Sequence, residues 1–335
     1  MRILFSSYHN PSFWTITEYT EKTLMKLGHE LIPFDDRAFI IPDRLRRNAR
    51  FLQNWDLNRL NRRLFSLASA TQPDLCLVAG GNRILPETIQ KMKSQGIQTA
   101  LWTIDVPRSF QPVLDAAPSY DFIFCGGTEA QKLLSEAGIP NTHWLPFACD
   151  PEVHQPADVD SEDRKKWGSE VSFVGSFYPN RAQVLEKISD FDLKVWGPGW
   201  DKLAKNSPIK KLCSDARLKP EEWIKIFSSS LVNIVIHYQD GKTPCFQAAP
   251  RVYEGLACRS FLLVDDQRDV KSLFQDGKHL AIFEKPEDLK KKIAYYLNKP
   301  EERNRIATQG HEEVVHKHTY VHRLKKMLSV IEAGG

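Results

Sequence analysis

Pro250-Arg251-Val252-Tyr253-Glu254-Gly255-Leu256-Ala257-Cys258, with Phe261-Leu262-Leu263-Val264 and Asp265-Asp266 close behind, is the stretch from which the fold of this chain can be read. It reads as a short helix, a turn and a buried strand. Proline suits the first turn of a helix, where its missing N–H is not needed. Arg251 and Glu254 stand three apart and so share one helical face.

The same alternation of apolar strands and helices extends through the chain. In the first half, strands are expected at residues 3–6, 29–34, 74–79, 98–104, 121–125 and 143–145, and helices at 15–27, 45–70 and 86–95. In the second half, strands are expected at 170–174, 193–196, 231–237 and 261–264. Helices are expected there at 181–188, 220–228, 286–297 and 300–331, and the segments 270–273 and 280–283 bracket a turn at Gly277. Strands alternating with helices of this length imply α/β architecture with parallel, doubly wound sheets. Residues 150–167 are polar and charged with two prolines, and read as a linker between two domains. The expected divisions are a first domain at 1–150, a second at 168–305 and a C-terminal helical segment at 306–335.

A chain of 335 residues has room for two such domains, each large enough to bury its own core. The apolar fraction of 41%, the charged fraction of 26% and a net charge of +4 are those of an ordinary folded chain, and the charge does not by itself call for nucleic acid. The six cysteines (Cys76, Cys125, Cys149, Cys213, Cys245 and Cys258) have no CxxC spacing, so neither a zinc site nor a disulfide framework is legible. No signal peptide and no apolar run of membrane-spanning length is seen. A cytoplasmic protein is expected.

In open α/β sheets, ligands bind at the carboxyl ends of the strands. The loops at those ends are residues 7–14, 80–83, 105–110, 126–129, 175–181, 197–200, 237–250 and 265–268. Two familiar phosphate loops are excluded. The first strand runs into Ser6-Ser7-Tyr8-His9-Asn10-Pro11 and not into GxGxxG, which argues against a dinucleotide oxidoreductase. Gly241-Lys242-Thr243 resembles the end of a P-loop, but Ile236 stands where the earlier glycine is required. The doublets Asp35-Asp36 and Asp265-Asp266 supply no obvious metal site, and no metal or cofactor is expected.

Several residues in these loops suit chemistry. A helix N-terminus with Arg251 beside it suits a diphosphate, and Glu254 one turn on suits the two hydroxyls of a ribose. The plainer reading is an amphipathic helix whose Arg and Glu pair on the surface. Asp105 follows a strand and precedes Val106-Pro107, as a general base would, or as a turn-capping Asp would. His9 and Asn10 follow the first strand, where a substrate or only solvent would meet them. His237 ends a strand as a phosphate or base contact, or as a capping histidine. Lys242 is a mobile phosphate ligand or a solvated lysine. Trp196 and Trp200 are stacking platforms or packing. Arg37, Arg44, Arg46, Arg47, Arg50, Arg59, Arg62 and Arg63 form the densest basic cluster, opposed between its ends only by Asp43 and Asp56. Such a stripe suits an anionic membrane, a polyanion or nucleic acid, or is a solvated helix face.

Taken in order, Phe173-Val174-Gly175-Ser176 with Arg181, Val195-Trp196-Gly197-Pro198-Gly199-Trp200, Arg251-Val252-Tyr253-Glu254-Gly255-Leu256-Ala257-Cys258, and His318-Thr319-Tyr320 with Arg323 resemble the CgeB-like, spore-maturation-type glycosyltransferases. Trp102-Thr103-Ile104-Asp105-Val106-Pro107, Tyr120-Asp121 and Trp144-Leu145-Pro146-Phe147-Ala148-Cys149-Asp150 extend the resemblance over the first half. It implies the GT-B fold, two Rossmann-like domains facing a central cleft. The first would be the acceptor side and the second the nucleotide-sugar side, with the C-terminal helix packing back on the first. It also implies transfer of a sugar from a nucleotide-diphosphate sugar to an acceptor: a glycan, a lipid-linked molecule, a protein or a modified nucleic acid. Donor contacts would come from Gly175, Ser176, Arg181, Arg251 and Glu254, and the loop positions of His237 and Lys242 add two further donor candidates. Asp105 and His9 are the catalytic candidates, with no metal. The basic cluster would permit peripheral contact at the inner membrane face. Phe246 stands eight residues before Glu254, where large retaining GT-B families carry a first glutamate, and this leaves the stereochemistry open. A nucleotide-sugar epimerase of the same fold, and a non-catalytic nucleotide-sugar or nucleic-acid-binding protein, are the alternatives.

Overall fold

The computed structural model describes residues 1–11, 14–103 and 110–334. By contact, the chain forms two compact units: Met1–Pro146 with Leu324–Gly335, and Phe147–Arg323. Each is built around its own six-stranded, wholly parallel sheet.

The first unit runs β1 (Arg2–Ser7), α1 (Ile16–Lys26), β2 (Glu30–Asp35), α2 (Asp43–Asn48), α3 (Arg50–Thr71), β3 (Leu75–Ala79) and α4 (Pro86–Ser94). It continues with β4 (Gln98–Thr103), α5 (Gln111–Ala116), β5 (Phe122–Cys125), α6 (Thr128–Glu136) and β6 (Thr142–Trp144). Strand order is β2-β1-β3-β4-β5-β6. Successive strands step away from β1 on both sides, so the order reverses between β1 and β3. Ile3, Leu4, Leu75, Cys76, Leu77, Val78, Ala100 and Leu101 are fully buried, as parallel strands covered on both faces must be. Thr15 caps α1 in a reciprocal box with Glu18, and Gly28 at φ 85° follows its C-terminus. The expected helix at 45–70 is two helices, broken at Ala49, whose φ of −136° and ψ of 100° are extended.

The second unit runs α7 (Ser161–Trp167), β7 (Val171–Val174), α8 (Pro179–Glu186), β8 (Leu193–Gly197), β9 (Cys213–Asp215), α9 (Pro220–Ser229) and β10 (Val232–Val235). It continues with α10 (Pro250–Ala257), β11 (Leu262–Asp265), α11 (Arg268–Leu273), β12 (Ala281–Phe283), α12 (Pro286–Leu297) and α13 (Pro300–Lys317). The last helix, α14 (Tyr320–Gly334), starts in this unit and ends in the first. Strand order is β12-β11-β10-β7-β8-β9, with the reversal between β7 and β10. The helix-turn-strand expected from residue 250 onward is α10 and β11. Val252, Leu256, Leu262, Leu263 and Val264 are fully buried there.

The segment read as a polar linker contains α7. Asp160 caps it by accepting the N–H of Asp163 at 2.8 Å, and Trp167 at its end is buried against Trp196, with ring centroids 5.2 Å apart. A single tryptophan in an otherwise charged stretch was the signal: burial of one large aromatic is enough to dock a two-turn helix.

Candidate functional site

The reversal of strand order between β7 and β10 opens a crevice at the carboxyl end of the second sheet, the place where open α/β sheets take ligands. Arg181, near the start of α8, spans it. Its Nε donates to the Ile236 carbonyl at 2.8 Å, beyond β10, and its Nη1 to the Ser176 carbonyl at 2.9 Å, beyond β7. Asn180 adds a bond from Nδ2 to the His237 carbonyl at 2.8 Å. Burial pushes the Arg181 guanidinium down to about 10, and the positive charge of Arg251 adds to that depression, while Tyr178 and Asp265 oppose it. Arg181 therefore keeps its charge at neutral pH, and a second cation lies within range of it.

The glycines beside Arg181 allow close backbone approach. Gly175 donates its N–H to the Trp196 carbonyl at 2.8 Å, which locks the loop after β7 to the end of β8. A β-carbon on Gly197, at φ 143°, would lie 2.2 Å from the Gly175 carbonyl oxygen, so no side chain fits there. The indole of Trp200 donates to that same carbonyl at 2.9 Å. Trp200 is 1% exposed and Trp196 packs on Trp167, so both are packing residues rather than stacking platforms.

His237 is held on every side. Its backbone N–H donates to both Asp265 carboxylate oxygens, at 3.1 and 3.0 Å, and its ring Nδ1 lies 2.5 Å from Asp265 Oδ1. Its Nε2 accepts the N–H of Ala249, the residue preceding α10, at 2.8 Å. Since Nε2 accepts, the ring proton sits on Nδ1 and points at Asp265. With both nitrogens engaged and the residue 2% exposed, His237 is a positioning residue and not a donor contact. It ties the ends of β10 and β11 to the start of α10. Asp265, read from the sequence only as half of an acidic doublet, is the centre of this network.

Through that tie, the N-terminus of α10 is set beside the crevice. Ala249 offers no side-chain cap, and Pro250 takes the first turn. Arg251 is paired with Glu254 on the same helical face. The Arg251 side chain is a third exposed, and its guanidinium lies 4.4 Å from the Trp223 ring centroid. Glu254 is buried. Lys242 sits in an exposed turn organised by Asp240, which accepts the N–H groups of Lys242 and Thr243 at 2.9 and 2.8 Å. Those bonds, the Thr243 one first, hold the Asp240 carboxyl below its ordinary range. Beyond the turn, Gly241, Thr243, Cys245, Phe246, Gln267 and Arg268 help line a recess of about 460 Å³. Gly175, Ser176, Arg181 and the start of α10 thus share one end of one sheet.

In the first unit, Asp105 lies outside the described residues. His9 follows β1, and its Nε2 lies 2.7 Å from Glu21 Oε1 on α1. Its Nδ1 is buried and has no hydrogen-bond partner among the described residues. Glu21 carried no signal in the sequence, because the contact joins a loop to a helix that packs beside it. Among the described residues, no group of three His, Cys, Asp or Glu side chains could hold a metal ion.

His318, Thr319 and Arg323 are structural. Arg323 donates from Nε to the Phe147 carbonyl at 3.0 Å and from Nη2 to His318 Nδ1 at 2.8 Å, while Cys149 and Thr319 form a parallel bridge. Burial and then the Arg323 charge pull the His318 imidazole down to about 4 from its ordinary 6.5. The unfolded chain therefore takes up a proton on His318 as the pH falls through 6.5, while the folded chain refuses it until about 4. Stability from this group is fully present above that window and is lost on going down through it. Urea titrations between pH 7 and 4 are expected to show a loss, relative to His318→Gln, of about 3 kcal/mol. A wild-type pH dependence parallel to that of the variant would refute it.

Residues 181–329 match the family model described as glycosyl transferase-like. Over 270 residues the chain is 23% identical to the spore protein CgeB of Bacillus subtilis (strain 168), covering 75% of this chain and 80% of that one. These matches support a glycosyltransferase similar to CgeB. The fold of the chain is GT-B. The sucrose-phosphate synthase of Thermosynechococcus elongatus superposes with a TM-score of 0.76 at 9% identity, covering 100% of both chains. Anabaena HepE in complex with UDP and glucose gives 0.68 at 11% identity, over 99% of this chain and 100% of that one. The matched segment of the glycosyltransferase begins at Arg181 and contains α10, so it holds both cations of the crevice.

Proposed function

We propose that this glycosyltransferase moves a sugar from a nucleoside-diphosphate sugar to a hydroxyl-bearing acceptor, with the diphosphate seated at the switch point of the second sheet. The observation that carries this is the pairing of two cations, Arg181 and Arg251, with glycine-lined backbone and an uncapped helix N-terminus at one sheet end. Breaking the glycosidic bond piles negative charge on the diphosphate, and fixed positive groups that meet it lower the barrier. Arg181 is already oriented by two carbonyls. Arg251 is free to turn from Glu254 toward a phosphate, and Glu254 can then accept from the ribose hydroxyls. Gly175 and Ser176 bring backbone close, and Lys242 closes over the phosphates from its exposed turn. His237 and Asp265 hold the start of α10 in place.

His9, oriented by Glu21, and Asp105 are the acceptor-side candidates. A carboxylate that orients one ring nitrogen leaves the other to take a proton. Positive charge from arginines and a helix terminus makes a divalent ion unnecessary in this scheme. HepE has been solved with UDP and with UDP-glucose, so the uridine diphosphate series is the first donor to try.

The test is a melting-temperature panel of UDP, GDP, dTDP and CDP and their sugars, in EDTA. A ligand that binds only the folded state raises the melting temperature by mass action. One diphosphate series is expected to stabilise the wild type. Glu254→Ala should weaken its binding by about tenfold or more, the value of a charge-assisted hydrogen bond. If no nucleotide shifts the protein at millimolar concentration, the reading fails; if a shift appears only with added magnesium or manganese, the metal-free part of it fails.

A further inference from the structure

The basic cluster of the first unit sorts into two groups. Arg46 donates to the Ile41 carbonyl and pairs with Asp43, Arg47 pairs with Asp43, Arg59 pairs with Asp56, and Arg37 lies over the Tyr8 ring. Arg44, Arg50, Arg62 and Arg63 are exposed and make no hydrogen bond or ion pair among the described residues.

Large apolar side chains stand among those four. Ile40, Leu45, Phe51 and Trp55 are 60%, 52%, 73% and 49% exposed, half of the eight large apolar side chains so exposed among the described residues. α2 buries none of its residues. On α3, Phe51, Trp55 and Arg62 recur at helical spacing and share one face, while Leu60, Leu64 and Ala68 bury the other. The surface is also built rather than loose. Asp56 is fully buried and accepts the N–H groups of Ile41 at 2.9 Å and Ile40 at 3.4 Å, holding the turn that displays Ile40. Burial alone would raise the Asp56 carboxyl; the Ile41 N–H, Arg59 and the Ile40 N–H outweigh it and hold it below its ordinary range.

We propose that α2 and the first turns of α3 dock this glycosyltransferase on an anionic lipid surface, with Phe51, Trp55, Leu45 and Ile40 entering the headgroup boundary and Arg44, Arg50, Arg62 and Arg63 meeting lipid phosphates. An apolar face ringed by unpaired arginines is the pattern of a helix lying in the membrane interface. Tryptophan and phenylalanine prefer that boundary, and arginine keeps its head in water while its stem lies on apolar surface. Nucleic acid would use the arginines and could stack on the two aromatic rings, but it has no use for Ile40 and Leu45. No described helix is long and apolar enough to cross a membrane, so this contact lies on the surface. The proposal is independent of the donor site.

The test is co-sedimentation of the full chain with vesicles of phosphatidylcholine alone and of phosphatidylcholine with phosphatidylglycerol. Binding is expected only to the anionic vesicles and to weaken with salt. Each Arg→Gln change at 44, 50, 62 or 63 should lower the partition coefficient about fivefold. The pair Phe51→Ser and Trp55→Ser should abolish sedimentation while leaving the melting temperature and nucleotide binding unchanged. The proposal is overturned if anionic vesicles do not bring the protein down. It is equally overturned if duplex DNA competes fully and Phe51→Ser with Trp55→Ser has no effect, which would mark a polyanion site. Self-association lost in that same double variant, with no vesicle binding, would mark an interface between copies and would also overturn it.

Discussion

Asp265→Ala is expected to lower the stability of the protein by about 3–5 kcal/mol in a urea titration, the cost of leaving a buried polar partner with nothing to meet it. The carboxylate accepts the backbone N–H of His237 twice and faces the ring N–H as well, and the residue it holds is 2% exposed. Water cannot replace the lost oxygens without opening the sheet end. Asp265→Asn is the milder test. It keeps one acceptor and places an NH2 group where the second oxygen accepted, so an intermediate loss is expected. A second consequence follows from the bond between His237 Nε2 and Ala249: the start of α10 is released, and nucleotide binding should fall in both variants even at temperatures where they are folded. A loss below about 1 kcal/mol for Asp265→Ala would mean that the network is solvated and does not brace the helix.

Gly197→Ala should be nearly as damaging, at about 3 kcal/mol, for a different reason. Its φ of 143° is open to glycine and strained for alanine. The added methyl would also lie 2.2 Å from a backbone oxygen that cannot swing aside, because Trp200 donates to it. Relief requires the loop after β7 to move away from β8, carrying Gly175 and Ser176 with it. The expected result is a lower melting temperature together with loss of the nucleotide-induced shift. A variant that melts lower but still responds fully to nucleotide would separate the loop from the binding site and weaken the assignment of Gly175 and Ser176.

Much of the fold was legible because its signals are local. Most strands with a continuous apolar run were expected close to where they lie, since a parallel strand buried on both faces has no room for polar side chains; β12 (Ala281–Phe283), read only as flanking a turn, is an exception. Two of the elements that escaped have signals that are not local. β9 (Cys213–Asp215) has no apolar run; it exists because it pairs with β8, and Asp215 accepts the Gly199 N–H at 2.5 Å. α7 hid in a charged stretch because its one anchoring side chain, Trp167, has its partners in β7, β8 and α9.

The site divides along the same line. Residue type and spacing drew attention to Arg251 and Glu254, because Arg three before Glu on a helix is readable along one dimension, while Gly175, Ser176 and Arg181 became candidates through the family resemblance. What His237, Trp196 and Trp200 do was not, since each was open to a ligand or to packing until its partners were known. Those partners are 28 residues away for His237 and 25 for Trp200. The same holds for the arginine cluster: eight similar residues in sequence become four that are occupied and four without a partner among the described residues only once Asp43, Asp56 and Tyr8 are placed. The sequence by itself determined the α/β class, the two sheets and the kind of enzyme, because hydrophobic period and short motifs are properties of neighbours along the chain. Only the tertiary structure decided which side chains are left over for a ligand. That depends on which hydrogen bonds and ion pairs the folded chain satisfies internally, and those are made between residues that the sequence keeps apart.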